Sequence, residues 1–294
     1  MSVPDWIAAD WGTSHLRLWI MRGDTPLRRI DDPRGMSKLT PDGYEAVLLE
    51  LLGDELTGPT DVVICGMAGA RQGWKEAPYA AVPCAIPSEG IPVPTSDPRL
   101  RVRILPGLSQ SSPPDVMRGE ETQIGGFLAA EPGFDGVLCL PGTHTKWVHV
   151  SAAEVVSFRT FMSGELFDLL STQSVLRFSV SDGWEQGTFL EAVNDAMGRP
   201  ATVAADLFAI RAGSLLSGDA PGAARARLSG LLIGLELAGA RPYWLGQEVV
   251  ILGESALAEI YRTALAAQSA MVRTVSVEGV TLTGLTAAYS RRTA

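Results

Sequence analysis

One pattern occurs twice in this chain. Asp10-Trp11-Gly12-Thr13-Ser14-His15-Leu16-Arg17-Leu18-Trp19 and Pro141-Gly142-Thr143-His144-Thr145-Lys146-Trp147-Val148 both set Gly-Thr in a turn between strand-like apolar runs. Around the first turn, residues 3–10, 16–21 and 27–30 read as strands, and a helix pattern with an early proline follows over 41–56. Around the second, residues 137–140, 146–150 and 155–158 read as strands, and a helix pattern follows over 164–176. An order of strand, strand, strand, helix that recurs in this way predicts an α/β fold made by duplication. At 294 residues the chain is longer than most single hydrophobic cores, so two lobes are expected.

Between the two openings, residues 61–65 form a β-branched run ending at Gly66, and 102–105 read as a further strand. Residues 74–98 are rich in proline and lack a sustained period, which assigns them to irregular chain or short edge strands and to part of a substrate pocket. Asp115 is placed as the N-cap of a helix running to about residue 130. Further helices are predicted over 185–197, 203–217, 223–240, 255–267 and 282–289, with strands at 249–252 and 272–277. The expected division is 1–118 for the first lobe and 119–280 for the second, with 281–294 packing back on the first.

A content of 46% hydrophobic and 19% charged residues supports a sizeable core and excludes intrinsic disorder. The net charge of -9 disfavours DNA, RNA or an anionic membrane as partner, although a few basic side chains in one cleft still admit a small anionic substrate. Cys65, Cys84 and Cys139 are odd in number and widely spaced, which points away from a disulfide framework or a zinc cluster and towards a reducing, cytoplasmic setting. The first residues show no signal-peptide pattern, and the longest apolar segment, 228–240, is interrupted by Glu236, so no membrane span is expected. The composition implies no particular oligomeric state.

A bound phosphate needs several donors converging at short range. Glycine in a turn lets backbone N–H groups approach, and Thr or Ser hydroxyls add to them. Gly12, Thr13 and Ser14 in the first turn and Gly142, Thr143 and His144 in the second meet that need. Asp10, at the end of the first strand, is a carboxylate able to hold Mg²⁺ through water against nucleotide phosphates, though Asp10 and Gly12 alone also describe an ordinary hairpin turn. Neither G-x-x-x-x-G-K-[ST] nor G-x-G-x-x-G occurs, so a nucleotide site here is of another type.

The paired turns, the run Val250-Ile-Leu-Gly-Glu254 and the duplicated order resemble the superfamily of sugar kinases, Hsp70 and actin. Its members have a two-lobed, ribonuclease H-like fold of duplicated βββαβαβα units that closes on ATP. More closely, the chain resembles the 2-dehydro-3-deoxygalactonokinase family. The resemblance is concentrated in Asp10-Trp-Gly-Thr-Ser, Cys65-Gly-Met-Ala-Gly-Ala-Arg-Gln-Gly-Trp-Lys-Glu-Ala-Pro-Tyr79, Asp115-Val-Met-Arg-Gly-Glu-Glu-Thr-Gln123, Leu140-Pro-Gly-Thr-His-Thr-Lys-Trp-Val148 and Met162-Ser-Gly-Glu-Leu-Phe167. It implies transfer of the ATP γ-phosphate to the 6-hydroxyl of 2-dehydro-3-deoxy-D-galactonate, with Mg²⁺ as cofactor.

The resemblance also implies roles. In related sugar kinases the base is an acidic residue directly after a glycine at a helix start, a place held here by Gly119-Glu120-Glu121; Glu120 is the expected base, with Glu121 as the substitute. Gly253 stands where the superfamily contacts adenosine. Lys146, one of only three lysines with Lys38 and Lys75, is a candidate for phosphate oxygens or the substrate carboxylate. Arg71 is the candidate bidentate partner of that carboxylate, with Gln72, Trp74, Arg17 and Glu165 as further substrate-side candidates. A phosphohydrolase resembling an exopolyphosphatase and a non-catalytic nucleotide-dependent binding protein are the rival readings.

Overall fold

In the computed structural model, residues 4–53, 55–218, 221–253 and 255–293 are described, so Met1–Val3, the Glu254 of the adenosine motif and Ala294 lie outside them. The chain opens with β1 (Trp6–Trp11), β2 (Leu16–Arg22), β3 (Thr25–Asp32), α1 (Gly43–Leu52) and β4 (Thr60–Gly66). It continues through β5 (Tyr79–Ala81), β6 (Cys84–Ala85), β7 (Ile91–Val93), β8 (Leu100–Ile104), β9 (Gly107–Ser111), β10 (Pro114–Met117) and α2 (Glu120–Ala130). The second opening is β11 (Gly136–Leu140), β12 (Thr145–Ser151), β13 (Glu154–Phe161) and α3 (Ser163–Thr172). After it come α4 (Gln186–Gly198), α5 (Val203–Leu216), α6 (Pro221–Gly239), α7 (Arg241–Trp244), β14 (Glu248–Leu252), α8 (Ala256–Ala267), β15 (Met271–Val275) and α9 (Val277–Thr293).

Two compact units result, one from Met1–Asp135, Ser151–Ser157 and Val277–Ala294, the other from Gly136–Val150 and Phe158–Ser276. The first sheet has the order β3-β2-β1-β4-β8-β7, and the sheet of the second opening has the order β15-β14-β11-β12-β13-β6. With the short edge strands β7 and β6 set aside and the others numbered along the chain, each sheet runs third, second, first, fourth, fifth strand. In both, the first strand pairs antiparallel with the second and parallel with the fourth. The duplication inferred from two Gly-Thr turns is thus carried by the whole topology.

The copies differ in what joins the fourth and fifth strands. In the second unit α8 does so, whereas in the first, among the described residues, the link from β4 to β8 holds only a 3₁₀ turn at Met67–Gly69 and the short strands β5 to β7. The proline-rich composition of this stretch explains the missing helix, because proline removes a backbone donor and fixes φ. Asp115 is not a helix N-cap. It pairs with Gln110 in the β9–β10 hairpin, and the helix begins only at Glu120, after Gly119 at a φ of +105°.

The division between units falls at 135/136, after α2, rather than at 118/119, before it. The cause is the crossing of α2 with α9. A Cβ on Gly126 would lie 1.8 Å from the Val280 carbonyl oxygen, and one on Gly284 would lie 2.0 Å from that of Thr122. The two helix backbones therefore touch, which only glycine permits, and α9 also stacks Tyr289 on Trp6 with ring centroids 4.3 Å apart. One face of the first sheet is covered by Tyr44, Val47, Leu48 and Leu52 of α1; the other, with Trp6, Ala8, Trp19 and Cys65, is covered by Leu285 and Ala288 of α9. A Gly284→Ala variant is expected to lose roughly 3 kcal/mol of stability, because the added methyl meets a backbone carbonyl rather than a side chain that can swing away. Urea denaturation checks this, and an unchanged midpoint would mean that the helices separate at no cost.

Candidate active site

In the first unit Asp10, Arg17 and Glu120 come together near the end of β1. Register sets Asp10 opposite Arg17 on β2 and beside Cys65 on β4. The Arg17 Nη1 donates to Asp10 Oδ2 at 3.0 Å, and the Cys65 thiol lies 3.8 Å from Oδ1. Burial raises the Asp10 carboxyl above its ordinary value; Arg17 and the thiol oppose this, while the charge of Glu120 adds to it. Burial also pushes the Cys65 thiol well up, so it stays a neutral neighbour.

Glu120 arrives because Gly119 rests on Gly66, where a Cβ on Gly119 would be 3.4 Å from the Gly66 Cα. The start of α2 is thereby placed beside the end of β4. Adjacent residues on a helix point about 100° apart, and here the difference separates two chemistries. Glu120 is half-buried, and its Oε2 accepts from the Arg118 backbone N–H at 3.1 Å. Glu121 is 1% exposed, accepts from the Gly119 N–H at 2.6 Å and from the Thr122 hydroxyl at 3.1 Å, and is pushed up to about 8, first by burial and then by the charge of Glu120. Of the two glutamates considered as base, only Glu120 is open to a substrate proton.

Sequence reasoning left Arg118 unassigned. Its Nη2 donates to the Ala77 carbonyl at 2.7 Å and its guanidinium lies over the Tyr79 ring at 4.3 Å, so it ties the Cys65–Tyr79 motif to Gly119. Arg71 and Gln72 are exposed on the turn after Met67–Gly69, and among the described residues Arg71 makes no ion pair. Trp74 is directed elsewhere. It stacks on Tyr44 with centroids 5.7 Å apart and meets Trp11 edge-on at 6.4 Å, so its ring is used in the core of the first unit.

The two Gly-Thr turns are built alike. In the first, the carbonyls of Gly12, Thr13 and Ser14 accept from the backbone N–H groups of Met36, Ser37 and Gly35 at 3.0, 2.9 and 3.2 Å. In the second, the Thr143 carbonyl accepts from the Glu165 N–H at 2.9 Å. Each turn is seated on a glycine that follows the third strand: a Cβ on Gly35 would lie 2.3 Å from the Ser14 carbonyl carbon, and one on Gly164 would lie 2.3 Å from the Gly142 oxygen. With those carbonyls engaged, the exposed side chains of Thr13, Ser14 and Thr143 remain for a ligand.

The other candidates of the second turn brace it. His144 Nε2 lies 2.6 Å from Glu165 Oε2, which gives Glu165 an orienting contact in the second unit. Lys146 is 4% exposed and its ammonium donates to the His144 carbonyl at 3.1 Å. Beside this turn the second unit holds a cavity of about 710 Å³ whose wall includes Gly142, Thr143 and Ser163 together with Leu232, Leu257 and Ile260. A lining that combines hydroxyl groups and glycine backbone with apolar side chains suits a nucleotide. Gly253 closes β14, its N–H donating to the Val275 carbonyl at 2.9 Å, three residues ahead of the wall residue Ala256.

The chain as a whole is similar to several known proteins. A crystal structure from Sinorhizobium meliloti designated a 2-dehydro-3-deoxygalactonokinase protein superposes with a TM-score of 0.92 at 40% identity, covering 98% of this chain and 99% of that one. A probable 2-dehydro-3-deoxygalactonokinase of Rhizobium meliloti is 42% identical over 96% of this chain and 95% of its own length. The 2-dehydro-3-deoxygalactonokinase of Escherichia coli is 35% identical over 84% of each. The activator of 2-hydroxyisocaproyl-CoA dehydratase from Clostridium difficile, solved with bound ADPNP, shares the fold at a TM-score of 0.52 and 10% identity, covering 98% of this chain and 95% of that one. The model of the 2-keto-3-deoxy-galactonokinase family matches residues 10–288, and the chain belongs to that family.

Proposed function

We propose that the chain transfers the γ-phosphoryl group of ATP to the 6-hydroxyl of 2-dehydro-3-deoxy-D-galactonate, in galactonate catabolism. The observation that carries this reading is the corner of Asp10, Arg17 and Glu120 at the end of β1, in a chain of this family. Glu120 accepts the proton of the 6-hydroxyl, whose oxygen bonds to the γ-phosphorus as the bond from phosphorus to the ADP oxygen breaks. Arg71, exposed and without an ion pair among the described residues, takes the substrate carboxylate through two parallel N–H bonds. Residues 12–14 and 142–144 donate to phosphate oxygens, Lys146 and Glu165 hold the second turn, and the base and ribose occupy the cavity bordered by Thr143 and Ser163.

Mg²⁺ fits the donor set in one form. Among the described residues no three acidic, His or Cys side chains converge on a cation, whereas Asp10 offers one carboxylate near Glu120. This suits an ion held chiefly by phosphates and water, with Asp10 orienting that water; when bound, it neutralises charge on the phosphate oxygens. The free thiols of Cys65, Cys84 and Cys139 suit the reducing cytoplasm, where we place the reaction. No helix among the described residues is long and apolar enough to cross a membrane.

The test is ADP release from Mg·ATP with 2-dehydro-3-deoxy-D-galactonate, its gluconate epimer, simple hexoses or no acceptor. Turnover confined to the galactonate-derived acid is expected. Equal ADP release without an acceptor would make the protein a phosphohydrolase, and nucleotide binding with no turnover would make it a binding protein.

A further inference from the structure

Behind the large cavity of the second unit lies one buried carboxylate. Glu236, on α6, is 1% exposed. Its Oε1 accepts from the Trp147 indole N–H at 2.8 Å and its Oε2 from the Tyr261 hydroxyl at 2.8 Å, and the Ser163 hydroxyl adds a third bond. Tyr261 OH is also 2.9 Å from Thr145 Oγ1. The network joins α6 to β12, to the first residue of α3 and to α8, and two of its members, Ser163 and Tyr261, line the cavity with Gly142 and Thr143.

Proton direction follows from the chemistry of the groups. An indole only donates and an ionised carboxylate only accepts, so the ionised form of Glu236 is the one these neighbours satisfy fully. Tyr261 then spends its proton on Glu236, and its oxygen is left to accept the proton of Thr145. The Thr145 hydroxyl is thereby held inward, at the foot of the turn whose Thr143 side chain is exposed. Burial raises the Glu236 carboxyl above its ordinary value, and the bonds from Ser163, Trp147 and Tyr261 oppose that rise without cancelling it.

We propose that Glu236 is a positioning residue for the nucleotide, fixing through Ser163 and the pair Tyr261–Thr145 the arrangement of the second Gly-Thr turn that receives phosphate. The inference rests on the reading that the adjoining cavity takes ATP. A carboxylate that merely filled the core would change stability and both substrates alike, so a split between substrates separates the two roles.

Glu236→Gln keeps the shape but turns an NH₂ group towards donors. In this variant KM for ATP and Kd for ADP, the latter by titration calorimetry without turnover, are expected to rise by about tenfold or more, while KM for the sugar acid stays within about twofold. Tyr261→Phe is expected to move both nucleotide constants in the same direction by less, and the double variant to be no weaker than Glu236→Gln alone. Unchanged nucleotide constants in folded Glu236→Gln, or an equal rise in both KM values, would overturn the proposal. Should Glu236→Gln fail to fold, Tyr261→Phe decides, since nucleotide constants at parental values there overturn it equally. Parent protein that does not bind ADP would overturn the nucleotide reading together with this one, whereas failure of the variants alone removes only the role of Glu236.

Discussion

Glu120→Gln is expected to lower kcat for the sugar acid by about 10²-fold or more, the usual contribution of a positioned general base. The glutamine keeps an oxygen for the Arg118 N–H that orients residue 120, so the helix start is preserved while the proton acceptor is lost. Glu121→Gln, by contrast, is expected to stay within a few-fold of the parent, since its side chain is buried against Gly119 and Thr122 and does not reach solvent. Steady-state ADP release from the two variants gives the comparison. Near-parental kcat in Glu120→Gln would remove Glu120 as base, and a large fall confined to Glu121→Gln would mean that α2 turns on its axis when substrate binds.

The second large effect concerns stability and its dependence on pH. The Glu121 carboxyl is raised from the ordinary 4.5 to about 8 in the folded protein, so the folded state favours its neutral form. Its contribution is fully present below about pH 4.5, where the unfolded chain is also protonated, and is lost as the pH rises through about 8. Glu121→Gln is neutral throughout. The variant should match the parent near pH 4.5 and exceed it above pH 8 by up to roughly 5 kcal/mol, the free energy of the full shift. Asp10 and Glu236 also have raised values, but parent and variant share them, so the difference between the two isolates Glu121. Urea midpoints at about pH 5 and about pH 8.5 are the measurement. Parallel pH profiles would show that Glu121 ionises at its ordinary value.

Much of the architecture is legible without coordinates because it is written in short-range pattern. Strand periodicity and two Gly-Thr turns locate β1, β2, β11 and β12, and the order of elements around them predicts a duplication that the matching strand orders of the two sheets display. Glycine followed by an acid at residue 119 locates the start of α2. Asp115 misled because an Asp ahead of a helical run has the form of an N-cap, while only the pairing of β10 with β9 keeps it in a strand.

Three matters lie beyond any local pattern. Glu120 and Glu121 are the same residue type side by side; which one is desolvated depends on packing around α2, where Gly284 of α9 approaches the Thr122 carbonyl from 162 residues away in sequence. Gly35 and Gly164 look like ordinary glycines until the turns seated on them are seen. Glu236 did leave a trace, as the one charge interrupting the longest apolar run, but its partners Trp147, Ser163 and Tyr261 come from β12, α3 and α8. The sequence by itself determined the elements, their order and the residue types available for phosphoryl transfer, because these follow from local periodicity and side-chain chemistry. Only the tertiary structure decided which carboxylates face solvent and which are buried among donors, because desolvation is the sum of contacts made by segments far apart in the chain.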